Sequence, residues 1–253
     1  MKIFVINLAR RPDRMAAMAA QLDRLALSYE RFDAIDARTA DPRVLEAPFA
    51  ARGAIADLTP GDKACTTSHM QLWRRIASAP ESHAAILEDD VLLGAGAREF
   101  LSSGAWIPPE AGLIKLERFG DPDQLTVVGK PGVQALDREV APLLSRHPGS
   151  GGYIISRGKA ALLAALTDKI ALPIDQLLFN PAYSPVFAAL APWQMVPAIL
   201  EQTADVGGTT DIRRAKAPLG RRIAHKLHAM RTLPRQVASV LSGRARAVKI
   251  RLA

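Results

Sequence analysis

The chain has 253 residues, 49% of them hydrophobic, with a formal charge of +8, enough apolar material for one large domain, or for one domain with an appendage. The single cysteine, Cys65, excludes an intrachain disulfide framework and fits a reducing compartment. Charged residues from Arg10 onward cut the apolar start short of a signal peptide, and no stretch approaches the roughly 18 apolar residues of a membrane span, so the expectation is a cytoplasmic chain.

Residues 2–8, rich in Ile, Val and Phe, predict an opening strand, and Pro12 with Asp13 predicts a helix start that favours the dipole. Met15, Met18, Leu22 and Leu25 give that helix a buried stripe. Residues 29–35 predict a second strand. Thr66, Thr67 or Ser68 is expected to cap a helix running to about Ala79, with Leu72, Trp73 and Ile76 turned inward. Strands follow at 84–87, 111–116, 152–156 and 194–197, and helices at 159–166 and 174–179. The Gly-, Pro- and charge-rich segment 118–148 reads as loops or a small hairpin, a candidate lid. This alternation predicts an α/β sheet with helices on both faces and no internal repeat.

The most informative run is Ile86-Leu87-Glu88-Asp89-Asp90-Val91. Three carboxylates follow an apolar strand without an intervening turn residue. Like charges so close repel one another, and a hard divalent cation such as Mg²⁺ or Mn²⁺, itself a carrier of substrate phosphates, would relieve them. In an extended segment Glu88 and Asp90 share a face, forming an acid-x-acid clamp, while Asp89 faces the other way, toward substrate. A solvated acidic turn is the plainer alternative. Ligands in open α/β sheets lie beyond the carboxyl ends of the strands, where residues 7–14 also sit. Arg10, Arg11 and Arg14 there could meet phosphates or hold the first helical turn. His69 beside Ser68, at the expected helix start, could hydrogen-bond a pyrophosphate or simply pack.

The last 43 residues hold 12 Lys/Arg and one acid, whereas residues 1–210 carry a slight negative charge. A boundary is therefore expected between a body, residues 1–210, and a basic tail, residues 211–253. Leu219, Ile223, Leu227 and Met230 recur at helical spacing, and a second segment places Val237, Val240, Leu241 and Val248 on one side. Basic amphipathic helices suit an anionic membrane surface, at about 1 kcal/mol per near-surface cation. No aromatic residue is present in the tail to stack on bases, so nucleic acid is not expected as a partner.

Several segments together resemble glycosyltransferase family 25 of lipopolysaccharide biosynthesis. They are Ile6 through Arg14, Phe32-Asp33-Ala34-Ile35-Asp36, Leu58-Thr59-Pro60-Gly61 leading to Cys65-Thr66-Thr67-Ser68-His69, and the acidic run. Ile114-Lys115-Leu116, Gly149 through Arg157, Pro173-Ile174-Asp175 and Val196-Pro197 through Gln202 complete the set. The resemblance implies a GT-A-like single domain with a mixed, mostly parallel sheet, and transfer of galactose or glucose from a UDP-sugar to a glycan or lipid-linked acceptor. It further implies an inverting enzyme using Mn²⁺ or Mg²⁺, at the inner face of the cytoplasmic membrane. By the same resemblance Glu88 and Asp90 hold the metal, and Asn7, Leu8, Arg10, Arg14, Ser68, His69 and Asp89 serve the donor. An inverting transfer needs a carboxylate base; Asp175 is the first candidate and Glu117 the second. This chain has Gly61-Asp62-Lys63-Ala64-Cys65 where the family usually has Gly-Glu-x-Gly-Cys, and Gln176 where an aromatic often follows the aspartate. Two other classes compete: a nucleotidyltransferase or other metal-dependent phosphate enzyme, and a non-catalytic nucleotide-sugar-binding relative.

Overall fold

The computed structural model describes residues 1–121, 123–202, 228 and 230–253. In chain order the amino-terminal half comprises β1 (Lys2–Asn7), α1 (Pro12–Arg24), β2 (Glu30–Asp33), α2 (Pro42–Glu46), α3 (Pro60–Ala77), β3 (His83–Glu88), β4 (Val91–Leu93) and α4 (Ala97–Ser102). Next come β5 (Leu113–Lys115), β6 (Glu117–Arg118), β7 (Leu125–Gly129), β8 (Val133–Ala135), β9 (Arg138–Pro142) and β10 (Gly152–Ser156). The rest is α5 (Arg157–Ala164), α6 (Ile174–Phe179), α7 (Phe187–Leu190), β11 (Trp193–Val196), β12 (Leu200–Gln202), α8 (Leu233–Leu241) and β13 (Ala245–Lys249).

An eight-stranded sheet in the order β2-β1-β3-β10-β5-β11-β9-β8 forms the centre. β1 explains why both faces must be covered. Ile3 and Val5 pack into one apolar cluster with Met18 and Leu22 of α1, while Phe4 and Ile6 join another with Trp73 and Ile76 of α3. Burying each such side chain contributes about 1.5–3 kcal/mol. The sheet is less parallel than expected. β1–β2, β1–β3 and β5–β11 are parallel, but β3–β10, β10–β5, β11–β9 and β9–β8 are antiparallel. The segment 118–148, read as loops or a hairpin, supplies four strands, and its β8–β9 hairpin closes one edge of the sheet.

The third helix starts earlier than the sequence reading placed it. Thr59 caps it, accepting from the Asp62 backbone N–H at 3.1 Å while the Asp62 carboxylate accepts from the Thr59 N–H at 3.0 Å. Pro60 fills the first helical position, where no N–H is needed. Thr66, Thr67, Ser68 and His69 consequently lie in the body of α3, not at its start.

A small sheet, β4-β12-β6, stands beside the carboxyl end of β3. β12 runs antiparallel to β4, and Gln202 is registered opposite Val91, next to the acidic run. At the carboxyl terminus the expected helical character ends at Leu241, since Ala245–Lys249 forms a strand antiparallel to β7. Leu219, Ile223 and Leu227, the first half of the proposed amphipathic stripe, lie outside the described residues. No described helix is long and apolar enough to cross a membrane.

Candidate active site

The three acids diverge as they leave β3. Glu88 ends the strand, and Asp89 and Asp90 form the turn into β4. Asp89 points toward the amino-terminal strand, where Asn7 Nδ2 donates to Oδ2 at 2.6 Å and Arg14 Nη1 donates to Oδ1 at 3.3 Å. Glu88 and Asp90 converge instead on one group: Gln202 Nε2 lies 3.3 Å from Glu88 Oε2 and 3.0 Å from Asp90 Oδ1. Arg14 also stands 3.6 Å from Asp90 Oδ2. Part of the positive charge the acids call for therefore comes from the protein.

Glu88 is held by two further side chains. His69 Nε2 lies 3.3 Å from Oε1, and the Ser150 hydroxyl donates to the same oxygen at 2.8 Å. Behind the imidazole, His69 Nδ1 is 2.8 Å from the Tyr153 hydroxyl, which accepts from Trp73 Nε1 at 2.9 Å. Burial alone would push the Glu88 carboxyl up. The His69 contact, the Ser150 hydroxyl and the Lys115 charge outweigh it and hold Glu88 below the usual range. Asp90 has fewer partners, and burial followed by the Glu88 charge pushes it up to about 7. Burial also raises Asp89, against the pull of Asn7 and Arg14.

Two cavities meet at this point. The first, about 210 Å³, is walled by Arg10, Arg14 and Arg38 on one side and by Glu88, Asp89 and Asp90 on another, with Leu8 and Ser68 in its lining. Arg10 is fixed by Asp36, whose carboxylate accepts from Nε at 2.7 Å. The second, about 230 Å³, contains Arg146, Ser150 and Asp175. Cys65, Glu88 and Gln202 line both. Asp175 sits in the first turn of α6 and is nearly buried; Gln176 Nε2 donates to its Oδ2 at 2.5 Å, and Oδ1 has no hydrogen-bond partner among the described residues.

Two expectations about individual residues are revised by these positions. His69 is wholly buried inside α3, tied to Tyr153 and Glu88, and lines neither cavity; Ser68 lines the first but donates to Ala64 O and accepts from Ile35 N–H. A pyrophosphate at a helix start is thus not the arrangement here. Glu117 is sealed from both cavities. Its carboxylate pairs with the fully buried Lys115 and accepts from the Gly151 N–H at 3.0 and 3.1 Å. Burial pushes Glu117 up to about 7 against the opposing Lys115 charge, and pushes Lys115 down. Gly149, at φ +90°, and Gly151 make room for this carboxylate, because a Cβ at either would stand 2.7 Å from one of its oxygens. Glu117 braces the glycine segment that presents Ser150 to Glu88, and opens into neither cavity.

The two departures from the family pattern also find places. Lys63 turns away from the first cavity to pair with Glu46 at 2.5 Å, and Ala64, in the glycine's place, lines the cavity wall. Gln176 accepts from Arg146 Nε at 2.9 Å and Asn180 Nδ2 at 2.7 Å while holding Asp175. Cys65, Ser150 and Gln202 were given no role by the sequence reading.

The family model described as glycosyltransferase family 25 (LPS biosynthesis protein) matches residues 1–178. The chain belongs to that family. It is 32% identical over 193 residues to "Lacto-N-neotetraose biosynthesis glycosyltransferase LgtB" of Neisseria gonorrhoeae, covering 72% of this chain and 68% of that one. It is 30% identical over 186 residues to "Lipooligosaccharide biosynthesis protein lic2B" of Haemophilus influenzae, covering 70% and 69%. A crystal structure of a glycosyltransferase involved in the glycosylation of the major capsid of PBCV-1 aligns over 89% of this chain and 98% of that one. Its TM-score of 0.42 and identity of 8% are too low to bear on the argument.

Proposed function

We propose that this protein transfers a hexose, galactose or glucose, from a UDP-sugar to a lipopolysaccharide or related surface-glycan acceptor, with inversion at the anomeric carbon, on a GT-A-like domain. The observation that carries the reading is the meeting of two cavities at Glu88 and Gln202. One is lined by arginines facing carboxylates, as a diphosphate with its counter-ion requires; the other holds a carboxylate oxygen with no hydrogen-bond partner among the described residues. Membership of a family described by LPS biosynthesis, and relatives named for lacto-N-neotetraose and lipooligosaccharide biosynthesis, support the acceptor class.

A divalent cation fits the donor set. Glu88 and Asp90 each bring a carboxylate oxygen within hydrogen-bond distance of one nitrogen, so two carboxylates already converge on a single position, and hard oxygen ligands suit Mg²⁺ or Mn²⁺. When bound, the cation would offset the charge that grows on the leaving diphosphate. Arg10 and Arg14 orient the phosphates from the opposite wall, with Asn7 and Leu8 at the end of β1 and Asp89 positioned between that strand and Arg14. Asp175 takes the proton of the acceptor hydroxyl as its oxygen attacks the sugar, and Gln176 keeps that carboxylate in place.

A membrane surface is the proposed location, at the cytoplasmic face. α8 exposes Leu233, Val237, Val240 and Leu241 at spacings of four, three and one, in a segment rich in cations.

The test follows release of UDP from UDP-galactose and UDP-glucose, with and without Mn²⁺. Asp90→Asn is expected to abolish the metal-dependent release. Asp175→Asn is expected to keep donor binding while transfer falls by about a hundredfold or more, the usual contribution of a general base. Release of pyrophosphate from a nucleoside triphosphate, or full activity of Asp90→Asn with Mn²⁺, would overturn the assignment.

A further inference from the structure

Cys65 and His69 stand one helical turn apart on α3, so their side chains share a face. β3 delivers Glu88 to the same point. One ligand atom from each of the three lies within 4.8 Å of the other two. The His69 Nε2–Glu88 Oε1 separation of 3.3 Å matches the ~3.3 Å between two ligands that each stand about 2.0 Å from a tetrahedral ion. A thiolate at about 2.3 Å needs a separation of about 3.5 Å from either, which lies inside the 4.8 Å within which the three ligand atoms stand. The imidazole is already braced through Nδ1 by Tyr153, as metal-binding histidines usually are by a neighbouring polar group.

We propose that Cys65, His69 and Glu88 form a three-ligand site for a borderline-soft divalent cation of the zinc class, with its fourth position open to the junction of the two cavities. The thiol and imidazole separate this site from the oxygen-only Glu88/Asp90 pair, because hard cations favour carboxylates and zinc accepts sulfur and nitrogen. The protons balance: the thiol releases one to solvent, and the imidazole proton that Nε2 shares with Glu88 before the ion binds is exchanged for one on Nδ1, facing the Tyr153 oxygen, so that Nε2 presents a lone pair. Both sites need Glu88. Resting on the metal clamp of the proposed function, it follows that zinc and the Mg²⁺ or Mn²⁺ ion exclude one another, making zinc an inhibitor.

The chain's single cysteine makes the test specific. Co²⁺ is titrated into the full chain and the near-ultraviolet thiolate-to-cobalt charge-transfer band is followed. The expected result is a band that saturates at one equivalent and is displaced by Zn²⁺. In Cys65→Ser the band is absent and Zn²⁺ binds about tenfold or more weakly, as for loss of a ligand or its support. In the unsubstituted chain Zn²⁺ should also slow alkylation of Cys65, a readout that needs no variant. Co²⁺ binding without the band, alkylation indifferent to Zn²⁺, or undiminished Zn²⁺ affinity in Cys65→Ser would each overturn the site. If the band forms but Zn²⁺ leaves Mn²⁺-supported donor turnover intact, the site stands and the shared-Glu88 clamp falls.

Discussion

Replacing Lys115 with methionine tests the brace beneath the site. The ammonium is fully buried; it pairs with Glu117, donates to Gly149 O at 2.5 Å and lies 4.4 Å from the centre of the Phe179 ring. Methionine fills similar volume but leaves the Glu117 carboxylate without its counter-charge. Removing one partner of a buried pair costs about 3–5 kcal/mol, and at about 2 °C per kcal/mol for a chain of this size the melting temperature should fall by about 6–10 °C. The loss should depend on pH in a definite direction. Glu117 is raised to about 7 from an ordinary 4.5 even beside Lys115, and without it moves higher. A raised folded value means stability that is full below the ordinary value and lost as pH climbs through the folded one. Below about pH 7 Glu117 keeps its proton in both chains, and the deficit is limited to lost hydrogen bonds, about 1–3 kcal/mol. Above pH 7 the parent ionises beside Lys115 and the variant does not, so the deficit grows by up to about 1.4 kcal/mol per pH unit. Urea unfolding at pH 6 and pH 8.5 reads both values, and adding Glu117→Gln should remove the difference between them. Equal deficits at the two pH values, or deficits under about 1 kcal/mol at both, would refute the description of the pair.

Two further outcomes are expected. Val237→Asp with Leu241→Asp should weaken sedimentation with anionic vesicles while leaving UDP release in solution unchanged. Unaltered sedimentation would remove α8 as the contact. Thr59→Ala should lower stability by about 1 kcal/mol through loss of the reciprocal cap on α3, measured by urea unfolding. A change under a few tenths would mean that Pro60 and Asp62 hold the helix start without the threonine.

Elements with one strong periodic signal were legible. Residues 2–8 and 84–87 are apolar enough to fix two adjacent central strands, and Met18 and Leu22 mark the buried side of α1. The direction of β10 was not legible. Tyr153, Ile154 and Ile155 are buried on both faces, and an antiparallel strand so enclosed reads like a parallel one. The start of α3 is written in Thr59-Pro60-Gly61-Asp62 as a capping box, yet the same Pro-Gly pair is also a common turn signal, which makes the start ambiguous in sequence. At the carboxyl terminus, the density of arginines concealed the short alternation of Ala245–Lys249 that lets it pair with β7. Within the site, the acidic run announced itself through charge. Ser150 and Gln202 are single polar residues whose importance comes from what distant strands bring beside them, which spacing along the chain does not encode. Glu117 misled because an acid after an apolar strand looks available, whereas Lys115, two residues back at the end of β5, closes over it.

The short route from α8 to the second cavity has its own consequence. Gln236 donates to Leu144 O at 3.0 Å, and two residues further on Arg146 reaches Gln176, which grips Asp175. Any sheet of lipid on which that helix rests would be linked, through three residues of backbone and three side chains, to the carboxylate that would meet an incoming hydroxyl. An acceptor tethered in the same sheet would then arrive at a mouth whose height and tilt are already set by the landing of the helix.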